Sequence, residues 1–410
     1  MIDLRDLREN PDTYKESASL RGLNADVIDA ALGYDTDRTA LIGQVETLRA
    51  SLNLKGKPSD DELEKLKKSK AHLLELESKL DKIETNLDEQ LSQIPNLMAP
   101  NTPVGGEEAN RTEKDWGDHR EFDFKPQDHM AIAEKNKWID FERGAKVAGS
   151  KFYFLKGSLV KLEFALTQFI INKLSAEGFE PMMVPHLVSG KVASGTGYLP
   201  RGEERQIYKI DGEDLNLIAT SEMPITGFYA DEILDLETLP AAFVGHSPSY
   251  RVESGSYGKY SKGLYRVHQF NKLEMYVFCL PKDSEQWHQK LLTLEEEICQ
   301  ALGIPYRVVR IASGDLGAPA YKKYDIEYWS PVENDYRELM SCSSVTDFQS
   351  RRLNVRYRGE DGKIHFVHTL NATAAAFSRM PIAILENHQQ ADGSIKVPEA
   401  LVHYYGGNIL

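Results

Sequence analysis

Two leucine-rich stretches with coiled-coil spacing, separated by one break, constrain the fold most. Leu41, Val45, Leu48 and Leu52 lie 4, 3 and 4 residues apart. After Lys55-Gly56-Lys57-Pro58-Ser59 the pattern resumes at Leu63, Leu66, Leu73, Leu76, Leu80, Ile83, Leu87 and Leu91. This spacing keeps an a/d seam, with Lys70 at an intervening a-type position. Ser59 and Glu62 have the spacing of a capping box, and Pro95 stops the second helix. The expected result is an antiparallel two-helix hairpin over about residues 36–94 with Gly-Pro at its tip. Its second helix alone would run roughly 50 Å at the α-helical rise. So long and narrow an element serves either reach towards a partner or association between chains. The spacing leaves both open.

The rest of the 410 residues suffice for a second, larger domain with its own core. Hydrophobic residues make up 41%, which fits a folded, water-soluble chain. No apolar run nears the roughly 18 residues of a membrane span, and Met1-Ile2-Asp3-Leu4-Arg5 does not open a signal peptide. Cys279, Cys299 and Cys342 have neither disulfide nor zinc spacing, so a reducing cytoplasm is expected. With 49 basic and 63 acidic residues the net charge is 49 − 63 = −14. That argues against indiscriminate nucleic-acid binding, and neither DNA nor a membrane is an expected partner. A local basic patch remains: Lys65, Lys67, Lys68 and Lys70, on the second arm helix near its tip. Such a run is often only a solvated helix face, although a local basic patch in an acidic protein can also serve as a docking surface for RNA.

Residues 250–274 carry the clearest chemistry. Apolar alternation at both ends and a centre rich in Gly, Ser and Lys predict two antiparallel strands joined by a loop. On a strand, Arg251 and Glu253 would point to one face. A guanidinium there clamps a phosphate with paired charge-assisted hydrogen bonds, and a carboxylate accepts from an exocyclic amine such as adenine N6. Arg266 and Phe270 lie across the loop, where a ring could stack on a base.

Elsewhere the texture is that of an α+β domain. Residues 96–118 read as a linker and 149–157 as a strand between glycines. Residues 159–178 read as an amphipathic helix, and Phe179–Val188 as an edge strand carrying Pro181 and Pro185. A charged helix is expected over 281–303 and a final helix over about Ala374–Gln390. The boundary between the domains is expected after residue 102, giving 1–102 and 103–410.

Taken together, the motifs resemble those of the class II aminoacyl-tRNA synthetases, in the seryl version. Arg251-Val252-Glu253 followed by Gly263-Leu264-Tyr265-Arg266-Val267-His268-Gln269-Phe270 resembles motif 2. Thr220-Ser221-Glu222 resembles the serine-binding loop. Glu338-Leu339-Met340-Ser341-Cys342-Ser343 with Asp347-Phe348-Gln349 resembles the metal-site strand and its tail. His368-Thr369-Leu370-Asn371, Arg379 and Glu386-Asn387 resemble motif 3. The resemblance implies an antiparallel catalytic sheet flanked by helices behind a coiled-coil tRNA-binding arm. The implied reaction is ATP-dependent activation of L-serine and transfer to tRNA(Ser), with selenocysteine tRNA a further acceptor that the sequence does not decide. Arg251, Glu338 and Arg379 are the implied catalytic residues. The implied ATP site comprises Arg251, Val252, Glu253, Arg266, Val267, Phe270, Glu338, Leu339, Met340, Ser341 and Arg379, with adenine between Phe270 and Arg379. Serine would be held by Thr220, Ser221, Glu222, Arg251, Glu274, Asn371 and Thr373, and Mg²⁺ by Glu338 and Ser341. Lys65, Lys67, Lys68 and Lys70 would meet tRNA, and the edge strand near Pro181 would form a homodimer interface.

The chain departs from the family pattern in having Met340 where serine is usual, Asn371-Ala372-Thr373-Ala374 in motif 3, Tyr250 for Phe, and a short arm. Two other readings compete. A paralogue loading a non-tRNA carrier should lack the arm, which is present. A non-catalytic RNA-binding paralogue should have lost Arg251, Glu338 or Arg379, and all three remain.

Overall fold

A computed structural model describes residues 2–52, 59–198, 207–253 and 263–410. The chain divides into two compact units, Met1–Leu97 and Met98–Leu410.

In the first unit α1 (Leu4–Glu9) begins at Asp3, whose carboxylate accepts from the Arg5 and Asp6 amides. After α2 (Pro11–Leu20) come the long helices α3 (Asp26–Ser51) and α4 (Asp60–Gln93). These two form the expected hairpin, and α3 starts some ten residues before the expected boundary. Val45, Leu76, Leu87 and Leu91 are buried in the seam, and Arg49 pairs with Glu77 across it at 2.6 Å. Towards the tip the seam opens. Leu63 is 42% exposed, and Lys70 is exposed rather than seated at an a-type position. Two helices alone shield only one stripe of each other, so a seam without further cover stays wet. The tip Gly56-Lys57-Pro58 and the Glu62 side chain of the expected capping box lie outside the described residues.

The second unit is built on an eight-stranded sheet: β1 (Arg111–Trp116), β2 (Glu180–Met183), β3 (Ala241–Tyr250), β4 (Gln269–Cys279), β5 (Tyr306–Arg310), β6 (Lys322–Ser330), β7 (Asp335–Thr346) and β8 (His368–Ala376). Their order across the sheet is β1-β5-β6-β7-β8-β4-β3-β2. All neighbours pair antiparallel except β2 with β3, which run parallel. Among its helices are α5 (Ser158–Ala176), α6 (Glu222–Phe228), α7 (Ser284–Ala301), α8 (Phe348–Leu353), α9 (Met380–His388) and α10 (Glu399–Tyr405). Leu291, Leu294 and Ile298 of α7 pack with Leu273, Met275, Leu370, Ala372 and Ala374 of the central strands in one continuous core. The opposite face of those strands is left for the cleft. No helix among the described residues is long and apolar enough to cross a membrane.

Three expectations need correction. The expected linker over 96–118 contains β1, an edge strand whose six residues are all exposed, so it has no apolar alternation to betray it. The strand over 149–157 shrinks to Phe154–Leu155, paired with Ile139–Asp140. The alanine-rich start of the last expected helix, Ala374–Ala376, belongs to β8. It is a central strand buried on both faces, where small side chains let α7 approach and helix propensity is overridden. The helix begins only at Met380, and a further one, α10, follows it.

Candidate active site

The cleft lies on one face of β4, β7 and β8, beside the end of β3. β3 ends at Tyr250, paired with Gln269. One more ladder bond follows, Arg251 N to the His268 carbonyl at 3.0 Å, and the backbone then leaves the sheet. Glu253 has φ +51°, the left-handed region. Arg251 and Glu253 therefore do not share a face by strand alternation, as the sequence had suggested. They come together because the backbone turns. Arg266 Nη1 donates to Glu253 Oε2 at 3.1 Å, and the Arg251 guanidinium lies 5.4 Å over the Phe270 ring. The Gly/Ser/Lys-rich loop centre, 254–262, lies outside the described residues.

β7 solves a geometric problem. Residues three apart on a regular strand face opposite ways, yet Glu338 and Ser341 both line the cleft. A bulge reconciles them. Pairing with β6 steps from Ile326↔Met340 to Glu327↔Glu338, leaving Leu339 without a partner. Met340 then points into the core beneath, 1% exposed. Its side chain is accordingly removed from the ATP site to which the motif had assigned it, and the departure from serine there alters core packing.

The cleft, about 500 Å³, has two ends of opposite character. At one stand Arg251, Arg266, Arg379 and Lys323 with Glu253, Glu338 and Ser341. Arg379 Nη1 meets Glu338 Oε1 at 2.8 Å. Burial would raise the Glu338 carboxyl, but Arg379 and Lys323 overcome it and hold it down at about 2. An adjoining cavity of about 80 Å³ is lined by Val267, Phe270, Leu339 and Thr373, with Phe270 packed against Val267 and Ala376.

At the other end stand buried acids. Glu222, at the start of α6, accepts from Tyr198 at 3.0 Å, Gln349 at 2.7 Å and Asn371 at 3.1 Å. Burial, reinforced by Glu274 nearby, pushes its carboxyl up to about 7. Glu274 is ion-paired with Lys272, and burial raises it too. The Lys272 ammonium also reaches Thr220 Oγ1 at 3.4 Å. Behind them, fully buried on α7, Glu295 is pushed well up by burial, then by Glu274 and Asp325.

Among the motif residues, Arg251, Glu253, Arg266, Glu338, Ser341, Arg379, Glu222, Glu274 and Asn371 line the main cleft. Val252 is half-buried beside it. Ser221 turns away, its hydroxyl donating to the Gly245 carbonyl at 3.2 Å. Tyr198, Lys272, Gln349 and Glu295 were not anticipated. Lys272 and Glu274 have the spacing of a same-face strand pair, which could have exposed them. Gln349 sits inside a recognised motif, but its reach to Glu222 across 127 residues has no local signal.

Residues 1–98 match the seryl-tRNA synthetase N-terminal domain family. Residues 207–388 match the class II tRNA synthetase core domain family, which covers the G, H, P, S and T enzymes. A serine–tRNA ligase of Dictyoglomus turgidum is 46% identical over 99% of this chain and 98% of that protein. One from Treponema denticola is 46% identical over 99% of both. A crystal structure of seryl-tRNA synthetase from Pyrococcus horikoshii complexed with ATP superposes with a TM-score of 0.92 at 38% identity, covering 100% of this chain and 99% of that one. Family matches cover the arm and the cleft domain, and the relatives align over nearly the whole chain: this chain belongs to the seryl-tRNA synthetases.

Proposed function

We propose that the protein activates L-serine with ATP and transfers the seryl group to tRNA(Ser). The observation that carries this reading is the polarity of one cleft: guanidinium groups at one end and two buried carboxylates at the other. A serine carboxylate oxygen attacks the α-phosphorus, the bond to the bridging oxygen breaks, and pyrophosphate leaves. Such a step needs positioning and charge stabilisation more than acid–base chemistry. Arg251 takes the α-phosphate and the substrate carboxylate, leaving its present place over Phe270. Glu253 accepts from adenine N6, and the base stacks between Phe270 and Arg379. Val252, Leu339 and Met340 contribute backbone alone.

Glu222 and Glu274 face the substrate ammonium, with Thr220, Asn371 and Thr373 around the hydroxyl. A site built to bond that hydroxyl rejects alanine, since its own polar groups would be left unpaired. Ser221 supports the loop through Gly245. Glu338 and Ser341 suit Mg²⁺, which takes few protein ligands and keeps phosphate oxygens and water. Both line the cleft, and Glu338 stays ionised. The ion, when bound, neutralises phosphate charge.

We assign tRNA contact to the arm. Lys65, Lys67, Lys68 and Lys70 are exposed there, with Lys68 in a solvent-exposed pair with Glu64 at 3.2 Å. Pairs of that kind are weak and readily exchanged for phosphate. Residues 1–102 would form the RNA-binding part and 103–410 the catalytic part. A homodimer through α5 and β2 would cover Phe164 and Met183, which are 70% and 84% exposed. The three buried free cysteines suit a reducing cytoplasm.

The test is ATP–pyrophosphate exchange with each of the twenty amino acids, then charging of purified tRNAs. Serine with Mg²⁺ drives exchange, and alanine and threonine are far poorer. Comparable exchange with another amino acid overturns the assignment. Replacing 36–94 by a short linker leaves exchange intact and abolishes charging. If charging survives, the arm is not the tRNA reader.

A further inference from the structure

On the face of the sheet opposite the cleft lies a second cavity, about 320 Å³, between β1, β5, β6 and the start of α7. The alternation is clean. Lys323 and Ser343 face the catalytic cleft, whereas their neighbours Lys322 and Tyr324 line this one. Arg111 and Arg310 stand directly opposite each other on adjacent strands, and like charges so placed repel. Lys322 joins them, its ammonium 5.5 Å over the Tyr324 ring. The guanidinium of Arg310 covers the same ring at 5.1 Å and donates to its hydroxyl at 3.1 Å.

The acids lining this cavity are already engaged. Glu113 holds Arg111 at 2.7 Å and Glu285 holds Lys322 at 2.6 Å. Arg310 is only 6% exposed. It has no carboxylate partner among the described residues, and its Nε is buried without a hydrogen bond. The adjacent imidazole of His288 adds no negative charge and is kept neutral, pushed down to about 4 by burial and then by Lys322 and Arg310. A buried guanidinium without a counter-charge is costly, and such groups are normally paired.

We propose that this cavity is an anion site, separate from the catalytic cleft, that takes a phosphate group, free or at the end of a small ligand. Arg310 is its fixed centre, and Lys322 and Arg111 close around the oxygens by exchanging carboxylate for phosphate. Guanidinium suits this task because its forked donors match two phosphate oxygens.

Calorimetric titration with inorganic phosphate at constant ionic strength tests the proposal, using the full-length protein. Wild type and Arg251→Ala bind phosphate at this site alike. Arg310→Met binds at least about tenfold more weakly, the scale of losing one charged hydrogen-bond partner, while serine-dependent pyrophosphate exchange stays at the wild-type rate. Should Arg310→Met fail to fold, Lys322→Gln serves instead, with a severalfold loss expected. Ribose 5-phosphate is titrated in parallel. If it binds more tightly than phosphate, the ligand is an ester; if not, the free ion. Unchanged phosphate binding in the folded Arg310 or Lys322 variant overturns the proposal. So does loss confined to Arg251→Ala, which would place the phosphate in the catalytic cleft.

Discussion

The two ends of the catalytic cleft hold carboxylates of the same kind in opposite states. Glu338 sits among Arg379 and Lys323 and is held ionised at about 2. Glu222 is buried beside another acid and is pushed up to about 7. The difference is one of neighbours: cations outweigh desolvation at the proposed nucleotide end, whereas at the proposed serine end desolvation and Glu274 outweigh the Gln349 hydrogen bond and the ammonium of Lys272. One end is prepared to receive negative charge, the other to receive a cation.

The largest expected effect comes from removing the Arg251 guanidinium, proposed to take both the α-phosphate and the substrate carboxylate. Arg251→Ala lowers serine-dependent pyrophosphate exchange at least about 10²-fold, the scale of losing one preorganised donor. The far-ultraviolet circular dichroism stays that of the wild type. Near-normal exchange in a folded variant would move the nucleotide site elsewhere. Next in size, Glu274→Gln raises KM for serine about tenfold or more, since a charged partner of the ammonium is lost, and leaves KM for ATP unchanged. Parallel shifts in both constants would show that the two ends are not independent.

A pH series sharpens the contrast. An acid whose folded pKa is raised binds serine ammonium better once ionised. KM for serine therefore falls as pH rises from 6 to 8, by at most about tenfold per pH unit, and Glu222→Gln flattens the profile. KM for ATP has no such trend, because Glu338 is ionised throughout. Stability runs the other way. The folded chain keeps a proton on Glu222 that the unfolded chain has lost, so this contribution is complete below about 4.5 and declines as pH rises to about 7. Denaturant midpoints across that range provide the readout. The smallest effect is expected at Glu295. It is fully buried and its carboxyl is pushed well up, so Glu295→Gln is expected to keep a neutral group in place and to shift KM for serine less than about threefold. A severe loss would mean that Glu295 is ionised in the resting protein.

How much of this was legible in the sequence depended on whether a periodic signal survived. The arm was readable because the seam from Leu41 to Leu91 repeats at coiled-coil spacing, and only its outer cover near Lys70 was misjudged. β1 was not readable, because an edge strand with every side chain in water carries no alternation. Ala374–Ala376 misled because helix propensity is local, whereas burial between α7 and the cleft is not. In the cleft the charged residues of the motifs were found, but their geometry was not. The bulge at Leu339 and the left-handed Glu253 decide which side chains meet, and neither is written in the spacing. Gln349 and Tyr198 act on Glu222 from other segments, where only the folded chain brings them close; Lys272, two residues from Glu274 on one strand, did carry a local signal.

Four cations of the catalytic cleft already hold an internal counter-ion: Arg379 with Glu338, Arg266 with Glu253, Lys272 with Glu274 and Lys323 with Asp325. Ligand capture there is thus an ion-exchange reaction within the protein. In this cleft a bare anion must displace a tethered carboxylate at high local concentration and offers nothing to the group it evicts. Among the described residues, no cation there stands buried without a carboxylate as Arg310 does in the second cavity. On the proposed assignment, ATP and serine together would resettle the evicted groups, Glu253 on the adenine amine and Glu274 on the ammonium. The empty enzyme is therefore expected to be poorly inhibited by stray phosphate, and its selectivity for the full substrate pair to begin with which ligands can rehouse the displaced charge.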